Sequence, residues 1–219
     1  MKYIIANWKM NMDLDSLIKW LASFSQFKKT QPRGVEVVVA PSFIHIPVVF
    51  ELSKKIPIKL ASQDVSLEER GSHTGECGAF QIKDFCKYAI IGHSERKENK
   101  EIIIKKRDLC FKEGIIPIVC FVKPENLPDF YKKGCLIAWE DPNNISVNGV
   151  YRAQSADQIR EIAKEIRKIL PKEASLIYGG SVNEGNIAEI AKIDDLDGVL
   201  VGNASLDSKS FANIIKTYS

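Results

Sequence analysis

An apolar segment in the middle of the chain, Tyr88 to Ile91, is followed by Gly92 and then by the four polar residues His-Ser-Glu-Arg at 93–96. An imidazole, a hydroxyl, a carboxylate and a guanidinium can donate hydrogen bonds and transfer protons. A short apolar run that ends at glycine is typical of a strand in a buried parallel sheet, and ligands of such sheets bind beyond the carboxyl ends of the strands. A structural histidine before an ordinary charged helix start explains this segment equally well.

Two more charged residues follow predicted strands. Lys9 comes after the apolar segment Lys2 to Ala6, and Glu140 comes directly after Leu136 to Trp139. Glu140 could act as a general base, His93 as a hydrogen-bond donor to a carbonyl oxygen, and Lys9 as a cation beside developing negative charge. Such a set suits enolisation next to a carbonyl and requires no metal. An isolated lysine or glutamate at a strand end is more often a solvated loop residue, so the hypothesis depends on the three residues lying together.

Eight short apolar segments alternate with helical patterns along the whole chain. An alternation of this kind predicts a parallel sheet, and eight units in 219 residues favour a single closed (β/α)8 TIM barrel, residues 1–219, over an open doubly wound sheet, which stays an alternative. In a barrel all strand exits meet at one rim, which would bring Lys9, His93 and Glu140 together. The predicted strands are Lys2–Ala6, Glu36–Ala40, Lys59–Ser62, Tyr88–Ile91, Ile115–Val122, Leu136–Trp139, Leu176–Tyr178 and Gly198–Val201.

Glycine-rich turns follow the seventh and eighth predicted strands. Gly179-Gly180-Ser181 and Gly202-Asn203 each lead towards a helix, and backbone N–H groups in such turns can bind an anion. In TIM barrels the phosphate site commonly lies after strands seven and eight. A tight connection that requires positive φ is an equally good explanation of each turn taken alone, and asparagine also tolerates positive φ.

Composition excludes several classes of protein. The net charge of +3 is spread without long basic runs, which argues against nucleic-acid binding, and no apolar run is long enough to span a bilayer. The first ten residues have too few apolar positions for a secretion signal, so we expect a cytoplasmic protein. Five cysteines without a C-x-x-C pair predict free thiols, and three widely spaced histidines argue against a metal site.

Four segments, in order along the chain, resemble the signature segments of the triosephosphate isomerase family. The segment Ala138-Trp139-Glu140 is also similar to the end of the strand that carries the family's base, so the resemblance covers nearly the whole chain. The four segments are Asn7-Trp8-Lys9-Met10-Asn11, Ile91-Gly92-His93-Ser94-Glu95-Arg96, Tyr178-Gly179-Gly180-Ser181-Val182 and Leu200-Val201-Gly202-Asn203-Ala204-Ser205-Leu206.

The resemblance implies a cofactor-free interconversion of dihydroxyacetone phosphate and glyceraldehyde 3-phosphate, as in glycolysis and gluconeogenesis. Glu140 would move the proton and His93 would be the neutral electrophile; tuning of these two pKa values in this family is a standard example of environment setting acid and base roles. The other residues implied to contact the substrate or support the histidine are Asn7, Lys9, Ser181, Gly202, Asn203 and Glu95.

The sequence departs from the family pattern in three places. After Cys120 the helical connection between strands five and six is much shortened. The segment after Glu140, which would form the lid, differs in sequence and is longer; counting from Glu140 places Ser146 at the family's phosphate contact. Asn203 replaces the second glycine of the family's final turn, which preserves the turn but could crowd the phosphate.

The resemblance also implies a homodimer formed through the loop from Arg70 to Gly78, with Thr74 at its centre. Two other functions compete with isomerisation. Another phosphosugar-binding barrel, such as an epimerase, could use the same phosphate site, although a metal-dependent epimerase would need more histidines. A catalytically weakened binding homologue is suggested only by the altered lid and the shortened connection.

Overall fold

The computed structural model describes residues 1–30, 32–141 and 154–219. Eight parallel strands close into a barrel in the order of the sequence, which confirms the predicted TIM barrel and excludes the open sheet. The strands are β1 (Lys2–Asn7), β2 (Val35–Ala40), β3 (Lys59–Ser62), β4 (Tyr88–Ile91), β5 (Ile116–Phe121), β6 (Leu136–Trp139), β7 (Ser175–Tyr178) and β8 (Gly198–Val201).

Successive side chains of each strand point alternately into the barrel and towards the helices. One set fills the barrel interior with a residue from every strand, and the other forms a larger core between sheet and helices. Both faces of the strands are therefore buried, which explains why they read as continuous apolar runs. The interior set includes Ile5, Val38, Ala61, Ile90, Ile118, Ala138, Ile177 and Leu200.

Among the described residues, eight α-helices accompany the strands, and side-chain caps fix where several of them begin. The side chains of Asp13, Asn99 and Ser155 accept hydrogen bonds from the N–H groups of Ser16, Ile102 and Gln158, which starts three of the longer helices. The helices are α1 (Leu14–Phe24), α2 (Ile46–Leu52), α3 (Ala79–Ile82), α4 (Lys100–Lys112), α5 (Leu127–Phe130), α6 (Ala156–Ile169), α7 (Ile187–Ile190) and α8 (Ser208–Tyr218).

Two predicted helices differ from the observed ones. The pattern predicts a helix from Leu14 to Phe27, but α1 ends at Phe24 and continues as a 3-10 helix over Ser25–Thr30. The pattern also predicts a helix from Ile44 to Lys54 that Pro47 interrupts near its start, but α2 covers only Ile46–Leu52, after a 3-10 turn at Phe43–His45. α2 begins at Ile46, so Pro47 lies in its first turn. Backbone N–H groups there have no acceptor within the helix, so proline, which lacks an N–H, costs no helical hydrogen bond.

The connection after β5 is as short as the sequence predicts. It consists of a 3-10 turn at Pro124–Asn126 and the single turn of α5. Arg107, a buried residue of α4, donates to the carbonyl oxygens of Asp129 at 2.6 Å and Phe130 at 3.0 Å. The guanidinium thus satisfies carbonyls at the end of α5 that a longer helix would bond internally.

In the described ranges, no helix combines the length and the apolar character that crossing a bilayer requires.

Candidate active site

The carboxyl ends of five strands surround one cleft. Residues after β1, β4, β6, β7 and β8 line it, and they include most of the side chains that the sequence analysis singles out. Glu95 lies beside the cleft, where it contacts both Lys9 and His93. Ser146 lies outside the described residues. The lining residues are Asn7, Lys9, His93, Glu140, Gly179, Gly180, Ser181, Val182, Leu200, Gly202 and Asn203.

Glu140 is almost completely buried, and both of its carboxylate oxygens have partners. Its Oε1 lies 3.0 Å from His93 Nε2, and its Oε2 accepts the backbone N–H of Ser94 at 2.8 Å. A buried carboxylate that accepts two hydrogen bonds is held in one orientation. The carboxylate can leave this position only if another acceptor takes over the histidine N–H.

The protonation state of the His93 ring follows from its hydrogen bonds. Its Nδ1 accepts the backbone N–H of Glu95 at 3.2 Å, in the 3-10 turn Ser94–Arg96 that follows β4. A ring nitrogen that accepts a hydrogen bond carries no proton, so the other nitrogen holds the single N–H of a neutral imidazole. That N–H on Nε2 faces Glu140 and the cleft.

Lys9 has a backbone conformation that is rare for a residue with a side chain, with φ of 52°. Its N–H donates to Asn7 Oδ1 at 3.1 Å, and its carbonyl oxygen accepts hydrogen bonds from Ser42 Oγ at 3.0 Å and Gln63 Nε2 at 2.9 Å. Three surrounding contacts therefore hold a strained residue in place, as is common at functional sites. Its ammonium group lies 2.5 Å from Glu95 Oε1.

Ser42 and Gln63 are positioning residues that the sequence analysis does not identify. Ser42 follows β2 by two residues, and Gln63 directly follows β3. Gln63 also donates to the carbonyl oxygen of Ala40, which ties the exits of β1, β2 and β3 together. Their location at strand exits is the signal that could have found them, because every other site residue shares it.

The glycines after β7 are required by space and not by positive φ. A Cβ on Gly179 would lie 2.9 Å from Glu140 Cγ, and one on Gly180 would lie 2.2 Å from the hydroxyl oxygen of Tyr178. Neither has a φ in the left-handed region, and Gly202 has φ of −86°. The explanation of these glycines by positive φ is therefore wrong, and the first glycine instead leaves room for the Glu140 side chain.

The turn after β8 lies close to Lys9. A Cβ on Gly202 would lie 3.6 Å from Lys9 Cε, an ordinary van der Waals distance, so the lysine side chain runs directly beside the turn. A 3-10 turn follows at Asn203–Ser205. Across the cleft, the carbonyl oxygen of Ser181 accepts a hydrogen bond from Asn186 Nδ2 at 2.7 Å. Both glycine-rich turns thus line the same cleft as Lys9.

Cys120 lies in the barrel interior beneath Glu140. Complete burial, together with the nearby carboxylate, raises the pKa of the Cys120 thiol well above its ordinary value. The thiol therefore stays neutral and does not compete with Glu140 as a base. Within the residues that the structure describes, no group of three or more histidine, cysteine, aspartate or glutamate side chains could hold a metal ion.

A larger cavity, about 690 Å³, lies at the opposite end of the barrel, between the strand starts of β2–β4 and the helices beside them. Among its described lining residues there is no histidine, and three of its lysines already lie 2.5 to 2.8 Å from carboxylates. Catalytic groups of TIM barrels gather at the carboxyl ends of the strands. We therefore assign the candidate site to the smaller cleft in spite of the size of this cavity.

Comparison with known proteins agrees with this geometry. The family model "Triosephosphate isomerase" matches residues 2–218. The triosephosphate isomerase of Thermodesulfovibrio yellowstonii is 36% identical over 98% of this chain and 98% of the relative. Those of Dictyoglomus thermophilum and Mycoplasmopsis pulmonis are each 33% identical, over 99% and 97% of this chain and 99% and 96% of the relatives. The chain belongs to the triosephosphate isomerase family.

Proposed function

We propose that the protein interconverts dihydroxyacetone phosphate and D-glyceraldehyde 3-phosphate through an enediolate, without a cofactor. The observation that carries the proposal is the 3.0 Å contact between Glu140 Oε1 and His93 Nε2, in a cleft that Lys9 also lines. A base, a neutral hydrogen-bond donor and a cation in one cleft match the needs of proton transfer next to a carbonyl.

In the first step Glu140 removes a proton from C1 of dihydroxyacetone phosphate, and the electron pair of the C–H bond becomes the C1–C2 double bond. The C2 oxygen gains negative charge, which the His93 N–H and the Lys9 ammonium stabilise. For this to happen, the carbonyl oxygen must replace Glu140 Oε1 as the acceptor of the His93 N–H. The carboxylate is then free to turn towards C1.

In the second step the hydroxyl proton moves from O1 to O2, and Glu140 returns its proton to C2. The product is the aldehyde, with one hydrogen moved between the two carbons and one between the two oxygens. We assign this relay to His93, because its Nδ1 accepts the Glu95 N–H and its Nε2 is left to serve the two oxygens in turn. Glu95 supports this tautomer through its backbone N–H, and Asn7 supports Lys9.

The phosphate group is assigned to the two turns after β7 and β8. We propose that Ser181, Gly202 and Asn203 bind it through backbone N–H groups, together with the charge of Lys9. The approach of Lys9 to Gly202 supports this assignment, because an anion in the turn would lie next to the ammonium group. Ser146 is proposed as a further phosphate contact from the lid.

The test is a coupled assay with glyceraldehyde 3-phosphate in the presence of EDTA. Glu140→Gln keeps the shape of the side chain and removes the base, so we expect kcat to fall about 100- to 10 000-fold. Glu140→Asp, which withdraws the carboxylate by about 1 Å, should also lose most of its turnover. Glu161→Gln, at an exposed position on α6, is the matched control and should keep full activity. Undiminished turnover of Glu140→Gln would refute the assignment of the base.

We also propose that residues 1–219 form one catalytic domain and that the protein is cytoplasmic. We further propose that two copies form a homodimer through the loop from Arg70 to Gly78. Residues 68–76 are exposed, including Thr74. The base of this loop is fixed, because Ser66 N–H donates to the Cys77 carbonyl at 2.9 Å and Arg70 stacks on the Phe80 ring at 4.4 Å. An exposed loop on a fixed base is suited to docking with a partner. Light scattering at micromolar concentration should give twice the chain mass, and a monomer would contradict the dimer.

A further inference from the structure

The 3-10 turn at Asn203–Ser205 carries part of the proposed phosphate site. A residue of the first helix, α1, holds this turn in place. The carbonyl oxygen of Ser205 accepts the indole N–H of Trp20 at 2.9 Å, and the bond is buried. Trp20 lies on α1, 185 positions earlier in the sequence. The first helix of the barrel is therefore joined directly to the turn after the last strand.

Ser205 also contacts the glycine of the turn. Its backbone N–H and its hydroxyl group both donate to the carbonyl oxygen of Gly202, at 2.9 and 2.7 Å. Ser205 has no exposed surface, so water does not take over the hydrogen bonds of its own N–H, hydroxyl and carbonyl groups. The orientation of the peptide after Gly202 thus depends on Ser205, and the orientation of Ser205 depends on Trp20.

The Trp20 indole is itself immobilised by neighbouring rings. Its centroid lies 4.9 Å from Trp8 in an edge-to-face arrangement and 4.6 Å from Phe24 in a stacked one, with Phe211 at 6.0 Å. Only 4% of Trp20 is exposed. A ring packed on several sides keeps its N–H in one direction, which makes the indole a rigid donor.

We propose that Trp20 is a positioning residue for phosphate binding: its indole N–H holds the turn after β8 so that the N–H groups of Gly202 and Asn203 face the phosphate of the substrate. This inference rests on the proposed function, because it requires the phosphate to bind at this turn. Trp20 lies behind the turn and does not touch the substrate. Its loss should weaken ground-state and transition-state binding of the phosphate equally, which raises KM and leaves kcat unchanged.

The test removes one buried hydrogen-bond donor at a time. Trp20→Phe removes the indole donor and keeps an aromatic ring; we expect KM to rise about tenfold, kcat to stay within about twofold, and the inhibition constant of inorganic phosphate to rise by the same factor as KM. Tyr218→Phe is the control, because it removes the hydroxyl donor of a buried ring on α8, whose acceptor is the carbonyl oxygen of Leu196 at 3.5 Å, before the start of β8. We expect Tyr218→Phe to leave KM and phosphate inhibition unchanged.

Unchanged KM and phosphate inhibition in Trp20→Phe, with only a lower melting temperature, would overturn the proposal and leave a purely structural role. If Trp20→Phe does not fold, benzothienylalanine at position 20 keeps the bicyclic shape and replaces the N–H with sulfur, and the same result is expected. Calorimetric titration of inorganic phosphate separates this inference from the proposed function. An inactive wild type would refute the function, whereas equal phosphate affinity of wild type and variant would refute the role of Trp20.

Discussion

Two lysines form ion pairs of the same length with glutamates that follow β4, but in opposite surroundings. Lys9 lies 2.5 Å from Glu95, and the two side chains are 23% and 52% exposed. Lys106, on α4, lies 2.5 Å from Glu98, and these side chains are 4% and 8% exposed. An exposed pair contributes little to stability, whereas breaking a buried pair leaves an uncompensated charge. The two ion pairs have equal lengths, but because their exposure differs we expect them to have different roles.

The buried pair belongs to a larger ionic cluster. Lys106 also donates to both carboxylate oxygens of Asp64 at 2.7 Å, and Arg96 bridges Asp64 at 2.7 Å and Glu98 at 3.1 Å. The cluster fixes the chain just after His93 and Ser94, whose N–H holds Glu140. The exposed pair, in contrast, can exchange Glu95 for a phosphate without exposing a buried charge. We infer that Lys106 is structural and that Lys9 is available to a ligand.

The largest expected effect is the loss of stability when Lys106 is removed. Lys106→Met leaves Asp64 and Glu98 buried with only Arg96 as a partner, so the free energy of unfolding should fall by about 3–5 kcal/mol. Urea denaturation measures it. Lys105→Met, one residue away and exposed, is the matched control and should stay within about 0.5 kcal/mol of the wild type. A loss below about 1 kcal/mol for Lys106→Met would contradict the comparison.

For Lys9 we expect the reverse, a large effect on catalysis and a small one on stability. Lys9→Met removes a cation that faces developing charge, so kcat/KM should fall about 100- to 1000-fold, while the free energy of unfolding changes by less than about 1 kcal/mol. The coupled assay and urea denaturation are applied to the same preparation. The control is Lys97→Met, since Lys97 has a similar positive φ of 54° and is exposed. Both variants keep a side chain at positive φ, so backbone strain is unchanged, and equal losses of activity would contradict a specific role for the charge at position 9.

The ionic cluster also predicts how stability changes in acid. Burial alone raises the pKa of Glu98, but hydrogen bonds from Lys106 and Arg96 outweigh burial, so this pKa lies below its ordinary value of 4.5. For Asp64 burial outweighs the same partners, and its pKa is raised above 3.8. A carboxyl group whose pKa is lowered by folding stabilises the native state at pH values above its unfolded pKa, and this stability is lost as the pH falls through the native pKa. A carboxyl group whose pKa is raised by folding stabilises the native state at low pH, and this contribution is lost as the pH rises through the native pKa.

The free energy of unfolding should therefore fall between about pH 5 and about pH 3, and Glu98→Gln should flatten this slope even though it lowers stability overall. Asp64→Asn should not flatten it, because the native state holds the Asp64 proton more tightly than the unfolded state does. Denaturation curves at several pH values measure the slopes. A flatter slope in Asp64→Asn than in Glu98→Gln would reverse the assignment of the two pKa shifts.

The barrel could be predicted from the sequence because its strands are buried on both faces. β3, β4, β6 and β8 begin and end where the apolar runs do. Helix ends were less predictable: the apolar periodicity of α1 continues to Phe27, yet the last turn tightens after Phe24. Periodicity reports which face is buried and not which hydrogen bond closes each turn.

The candidate site was predictable as far as it lies at strand exits, and less so where it depends on contacts between distant residues. Lys9, His93 and Glu140 occupy such exits and meet in one cleft. The bonds of Gln63 to Lys9 and of Lys106 to Asp64 join elements whose relative register is fixed only by the closed barrel. No local pattern encodes them, so they became visible only in three dimensions.

The smallest expected effect is the one that separates the two ion pairs most directly. Glu95→Gln breaks the exposed pair with Lys9 and neutralises a carboxylate 3.7 Å from His93 Nδ1, and since Glu95 is half exposed the free energy of unfolding should fall by at most about 1 kcal/mol at low ionic strength. At about 1 M salt the Debye length is about 3 Å, and the difference from the wild type should vanish. Glu98→Gln measured under the same two conditions is the counterpart, and its loss should persist in salt because the pair is buried. A loss for Glu95→Gln that salt does not reduce would mean that Lys9 is as firmly held as Lys106. Lys9 could then not exchange Glu95 for a phosphate, and the proposed division between a ligand-binding and a structural lysine would fail.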